Sequence, residues 1–337
     1  MRYVCSSSKG VLYQSGILIL FLSLPACTHR SEYLRKKVML PCPKKLAVRT
    51  EQPTQPANIT IWIHGTRFFK QPYYYTYFEG KPSLRSALEL DKKYHLRRVA
   101  DNLNMQAFDE FCLDTFYLFG WSGKLSAADR KKAAQALYDN IIMVKNEYVQ
   151  KYQREPAINL VCHSHGGNVA LNLAKIARKR LDDAFRIDKL ILLACPVQDG
   201  TMHYVKDPLF KKIYAIHSSL DLVQIIAPQV TYRVADNQQR TTYRRFKLPP
   251  FSQRYFPEHE NLAQIKLKLN GRALMHQEFI GKKFLSLLPA MIPVIDTWQM
   301  QTTTDHHRKL LSVRVEKNRV NRGLKLASRR AATQHCA

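Results

Sequence analysis

Residues 158–174 read Ile158-Asn159-Leu160-Val161-Cys162-His163-Ser164-His165-Gly166-Gly167-Asn168-Val169-Ala170-Leu171-Asn172-Leu173-Ala174. The apolar run 158–162 breaks at residues 163–167, and Val169, Leu173 and Ile176 then follow at helical spacing, so the stretch predicts strand, sharp turn and helix. A serine at the apex of such a turn is pushed clear of the sheet with its hydroxyl exposed. The residues two before and two after it must be small, because side chains there collide in the bend. Gly166 meets that demand, and Cys162, where a glycine is usual, brings a small, mildly apolar side chain. The backbone N–H of His165, opening the helix, points where negative charge would develop on a carbonyl attacked by Ser164.

This arrangement resembles the nucleophile elbow of the α/β-hydrolases. Together with Phe119-Gly120-Trp121-Ser122-Gly123, the run from His163 to Gly167 is similar to bacterial lipase/esterase-like members, and the resemblance spans roughly residues 45–290. It implies an α/β fold, a doubly wound, mostly parallel sheet of the α/β-hydrolase type with lid-like insertions near 68–114 and 224–260. It also implies acyl transfer with Ser, Asp and His in that chain order. A fold by itself does not establish an activity, so each further part must be found among the residues.

The alternating, β-branched run 58–63 predicts a strand ending in His64-Gly65-Thr66-Arg67. In α/β-hydrolases the loop after the third strand brings a backbone N–H to the oxyanion, and Gly65 would let the main chain come close. Thr66 or Arg67 would supply that N–H, and Thr66 is the choice; His64, Gly65, His163 and Gly166 then read as supporting residues. For the acid, residues 213–217 predict a strand running into Asp221, where a third triad member belongs. Asp199, after the preceding apolar run 190–195, is the alternative; a turn-capping role is open to either. For the base, His276 follows the alternating run 265–269 by a short loop. That run reads as the last strand and an exposed edge, with His259 as the competing histidine.

Elsewhere, Thr115–Phe119 predicts a strand, and Ser126 with Asp129 predicts the start of a helix whose Ala134, Leu137, Ile141, Val144, Tyr148 and Tyr152 share one face. Leu84, Leu88, Leu96, Val99 and Leu103 predict helix over 84–104, and residues 278–288 a further helix. The aromatic run Tyr73-Tyr74-Tyr75-Thr76-Tyr77-Phe78 suits either an acyl-binding mouth or a lid.

The N-terminus carries Arg2 and Lys9, an apolar run 16–22 and then Leu24-Pro25-Ala26-Cys27. This reads as a secretory signal, too short for a comfortable span. It resembles a bacterial lipobox, which would make Cys27 a lipidation site and the protein an exported, membrane-anchored lipoprotein of the cell envelope. Residues 28–57 read as a tether leading into a first strand near 45–49. Residues 301–337, with nine Lys or Arg against two acids, read as a mobile basic tail.

The 337 residues hold 53 Lys+Arg against 26 Asp+Glu, a net charge of +27, which favours an anionic membrane surface or another polyanion. No helix-turn-helix, zinc-finger or RNA-binding signature accompanies it, so no specific nucleic-acid partner is expected. The seven cysteines lack C-x-x-C spacing. Cys162 and Cys195 read as buried thiols, and neither a metal nor a cofactor is expected. The chain therefore reads as a serine hydrolase of ester or lipid substrates. The alternative is a catalytically silent lipoprotein using the same fold as a binding surface.

Overall fold

The computed structural model describes residues 34–40, 57–66, 81–180, 185–226, 254–301 and 308–315. In chain order, β1 (Leu34–Leu40), β2 (Asn58–Ile63) and β3 (Ser83–Ser86) precede α1 (His95–Gln106), β4 (Phe116–Gly120), α2 (Ala127–Tyr152) and β5 (Ala157–His163). After the turn at Ser164 come α3 (Gly166–Leu171), α4 (Leu173–Ala177), β6 (Lys189–Leu193), β7 (Ile213–His217) and α5 (Leu222–Ile226). Then follow β8 (Leu262–Leu269), the two-residue β9 (Arg272–Ala273), α6 (Lys282–Leu285), α7 (Leu288–Gln301) and β10 (Arg308–Val315).

One sheet runs β1-β10-β8-β7-β6-β5-β2-β4-β3, with β9 beside β8. Every pairing is parallel except β3 on β4 and β9 on β8. Side chains alternate between two cores because successive strand residues face opposite ways. Ile191 and Leu193 of β6 pack with Leu96 and Val99 of α1 and with Ile292 and Ile295 of α7. Leu190 and Leu192 pack with Leu137 and Ile141 of α2 and with Val169 of α3. Helices thus cover both faces, which is why the central strands are continuous apolar runs.

Helix α2 begins where its sequence says: Ser126 Oγ accepts the N–H of Asp129 at 3.2 Å, satisfying one of the donors that a helix start leaves open. It ends at Gln153, in the left-handed region with φ 54°.

Several expectations are corrected. Residues 84–104 are not one helix: Ser83–Ser86 pairs antiparallel with β4, and α1 starts only at His95, after a turn in which Asp91 accepts the N–H of Lys93. Residues 278–288 divide at Gly281 into a 3-10 helix, His276–Ile280, and the short α6. The strand β8 is not an edge, for β10 pairs along it from Arg308 to Val313; Lys266 and Lys268, which alternate with apolar residues, are half-buried there. Residues 301–337 are not tail throughout, since Arg308–Val315 is a strand with Leu311 and Val313 buried. The first strand lies at Leu34–Leu40, inside the stretch expected to be a tether. The proposed strand near 45–49, the aromatic run 73–78, the signal segment 1–27 with Cys27, and most of the insertion 224–260 lie outside the described residues. Among the described residues no helix is long and apolar enough to cross a membrane.

Candidate active site

Four loops leave the carboxyl ends of parallel strands at one edge of the sheet: 64–66 after β2, the Ser164 turn after β5, 218–221 after β7 and 270–276 after β8. Side chains brought to such an edge converge although they are far apart in sequence.

Ser164 has φ 54°, a left-handed conformation in which a side chain is rare and strained. Its N–H donates to Leu193 O at 2.9 Å, and its carbonyl accepts from Gly167, closing the turn. Two glycines make the turn possible. A Cβ on Gly166 would sit 2.5 Å from Ile63 O and 2.6 Å from His64 O, and one on Gly65 would sit 2.6 Å from Ser164 Cβ. The loop after β2 therefore lies directly against the serine. Cys162 fills its place as a fully buried residue. Burial pushes the thiols of Cys162 and Cys195 up, so neither is a ready nucleophile.

His276 and Asp221 meet. Nδ1 of His276 lies 3.0 and 2.9 Å from the two carboxylate oxygens of Asp221, and both residues are buried. Asp221 Oδ1 also accepts the N–H of Gln224 at 2.9 Å. With a carboxylate facing Nδ1, that nitrogen carries the proton and Nε2 keeps its lone pair, the form a general base requires. The His276 ring lies 4.7 Å from the ring of His163, the residue preceding Ser164, at a tilt of 46°, and His163 Nε2–H donates to His276 O at 3.2 Å. Burial first, then the His276 charge, depresses His163 to about 3, so it stays neutral beside His276. Among the described residues the Ser164 hydroxyl itself has no hydrogen-bond partner.

The competing residues lie elsewhere. His259 precedes β8 and bonds Asn261 at 2.6 Å, at the amino end of the strand and so across the sheet from Ser164. Asp199 is exposed on the loop after β6, whereas the carboxylate on His276 is that of Asp221.

His64 governs the loop that carries Thr66. Its Nδ1–H donates to Gly65 O at 2.7 Å and its Nε2 accepts the Trp121 N–H at 3.1 Å, while Trp121 Nε1–H donates to His64 O at 2.8 Å. Because a trans peptide points its C=O and N–H in opposite directions, tying down Gly65 O turns the Thr66 N–H the other way. Thr66 is half-buried; Arg67 lies outside the described residues. On the other side, His165 opens α3, and its Nδ1 faces Asn168 Nδ2 at 3.3 Å. Burial, then the charge of Arg130, depresses His165 to about 3 as well.

Three contributors escaped the sequence reading: Trp121, which locks His64; Gln224, which holds Asp221; and Ser218, whose hydroxyl donates to Leu267 O at 3.0 Å and accepts the Leu274 N–H at 2.8 Å, tying the acid loop to the histidine loop. Only Trp121 carried a signal, standing in the quoted turn after β4. Among the described residues no group of three His, Cys, Asp or Glu is placed to hold a metal ion.

Neither a scan of protein-family models nor a search of curated proteins finds a match. Solved structures of similar shape include the phospholipase PlaB from Legionella pneumophila, at 17% identity and a TM-score of 0.26, matching 41% of this chain and 25% of that one. The rice cell wall degrading esterase LipA from Xanthomonas oryzae matches at 15% identity and a TM-score of 0.25, over 42% of this chain and 34% of its own. A hyperthermophilic esterase from Pyrobaculum calidifontis matches at 11% identity and a TM-score of 0.34, over 74% and 75%. This chain thus spans a quarter to a third of the first two. Likenesses this distant carry no argument about activity. The fold rests on the chain's own topology: a parallel sheet wound on both faces, with one antiparallel strand at its β3 edge and a serine turn between β5 and α3, is a fold of the α/β-hydrolase type.

Proposed function

We propose that this chain is a serine hydrolase cleaving carboxylic esters, with Ser164 as nucleophile, His276 as base and Asp221 as the acid that orients it. The observation that carries the reading is the buried Asp221–His276 pair, whose imidazole packs against His163, the residue preceding a strained serine. His276 Nε2 takes the hydroxyl proton as Ser164 Oγ bonds to the ester carbonyl carbon, and the carbonyl pair moves onto oxygen. The N–H groups of Thr66 and His165 hold that oxyanion. The C–O bond to the alcohol then breaks, the alcohol leaves with the proton from His276, and water repeats the sequence to free the acid and the serine.

The rim of the site favours an apolar acyl or lipid substrate. Leu220, Leu222, Val223 and Ile226 around Asp221, and Met275 beside His276, are all exposed, where an acyl chain would bury them. An exported lipoprotein anchored through Cys27 at an anionic membrane surface accords with that substrate and with the net charge of +27.

Labelling with a fluorophosphonate probe and a panel of soluble aryl esters tests the reading. Ser164→Ala should abolish labelling and lower turnover about a millionfold, as loss of one triad member does elsewhere. His276→Ala should be nearly as damaging and His259→Ala mild; Asp221→Asn should cost more than Asp199→Asn. A folded wild-type protein that neither labels at Ser164 nor turns over any ester would make the silent binding lipoprotein the better reading.

A further inference from the structure

Arg254 is the first described residue after the stretch 227–253, and its side chain reaches back to the turn that carries the acid. One Nη1–H donates to Ser218 O, and Nη2 donates to Ser219 O at 3.2 Å and to Asp221 O at 3.0 Å. A guanidinium is a planar fork that can satisfy several carbonyls at once in a fixed geometry. Here it collects three from a four-residue turn and so dictates the path of the main chain leading into Asp221.

The fork is itself held. Tyr255 meets the His217 ring edge-on at 4.8 Å. Phe256 is bound on both sides of its backbone by the buried Gln264 of β8: its N–H donates to Oε1 at 2.7 Å and its carbonyl accepts from Nε2 at 3.0 Å. Gln264 thereby does for residue 256 what a neighbouring strand would do, fixing Arg254 two residues earlier against β7 and β8. Ser218 fastens the start of the same turn to Leu267 and Leu274. Between these attachments the only side chain that grips Ser219 and Asp221 by their carbonyls, among the hydrogen bonds of the described residues, is Arg254.

We propose that Arg254 is a positioning residue for the catalytic acid: its three-carbonyl fork holds the turn 218–221 so that the Asp221 carboxylate stays on His276 Nδ1. The proposal rests on the triad reading above. The residue touches no reacting atom and acts entirely through the carboxylate–imidazole geometry, to which catalysis is sensitive because displacement by about an ångström can cost on the order of a hundredfold in rate.

The test uses the full-length protein and a soluble aryl ester. Arg254→Gln is expected to lower kcat about a hundredfold with KM changed less than about threefold. Arg254→Lys keeps the charge but loses the fork and should fall between Arg254→Gln and wild type; full activity in Arg254→Lys would overturn the fork. In an Asp221→Asn background Arg254→Gln should cost less than about threefold, since the group it positions is already disabled. An equal loss in both backgrounds overturns the proposal. One readout is independent of turnover: the downfield proton resonance of His276 Nδ1–H should move or broaden in Arg254→Lys, whose fold is checked by circular dichroism. If wild type hydrolyses nothing, the triad reading fails by itself, and an unperturbed Nδ1 proton in a folded Arg254→Lys still rejects the positioning role.

Discussion

At the scale of single residues, the site is built from backbone conformations that few side chains permit. Ser164 is left-handed at φ 54°, and the loop after β2 can touch it only because Gly65 has no side chain. Gly65→Ala should therefore drive a methyl into Ser164 Cβ and His163 O, at 2.6 and 3.1 Å before relaxation. We expect kcat/KM for an aryl ester to fall about a hundredfold while circular dichroism stays unchanged. Wild-type kinetics in Gly65→Ala would mean that the loop does not contribute to the site. The serine, the histidine and the glycine loop were legible in the sequence because each follows the carboxyl end of a strand by a short connection, in a set order. The residues that hold them were harder to read: Gln224 and Ser218 act through hydrogen bonds to groups that lie next to them only after folding, and Trp121, though it stands in the quoted turn, meets His64 across 57 positions of chain.

At the scale of elements, strands buried on both faces announced themselves. The run 190–193 in β6 and the run 213–216 in β7 are continuous and apolar, and each lies in a strand. What escaped was β10, where Leu311 and Val313 alternate with Ser312 and Arg314 inside a strongly basic stretch; so short an alternation, from Leu311 to Val315, gives little signal when the surrounding charge reads as solvated tail. Once β10 is placed between β1 and β8, a chain ending at residue 301 loses Leu311 and Val313 from the core and leaves β1 without a neighbour. Two buried aliphatic side chains are worth roughly 3–6 kcal/mol, against a total of about 5–15 kcal/mol for a typical domain. Thermal unfolding should show a large loss of midpoint for truncation after residue 301 and little change for truncation after residue 315. Equal midpoints for both truncations and wild type would remove β10 from the folded core.

At the scale of the whole molecule, three of the buried histidines should shape the response to acid. His163, His165 and His217 are each depressed to about 3 from an ordinary 6.5, with burial the largest cause in all three. Below pH 6.5 the unfolded chain binds protons that the native state refuses, so stability is fully present above 6.5 and is lost as pH falls towards 3. The slope approaches about 4 kcal/mol per pH unit for the three together. Urea midpoints should fall steeply from pH 6.5 to 5 and stay level above 7, and His217→Phe should flatten the fall; a midpoint independent of pH in that window would show that the three rings are protonated in the folded protein. The position of β10 has a kinetic consequence too. Among the described strands β1 pairs only with β10, Leu34 lying opposite Lys309, about 275 positions along the chain, and long-range parallel pairing forms slowly because the intervening loop must close first. During synthesis β1 must therefore wait for β10 to emerge. That pairing closes only after β10 has been made, which leaves β1 waiting for as long as its partner is still being synthesised.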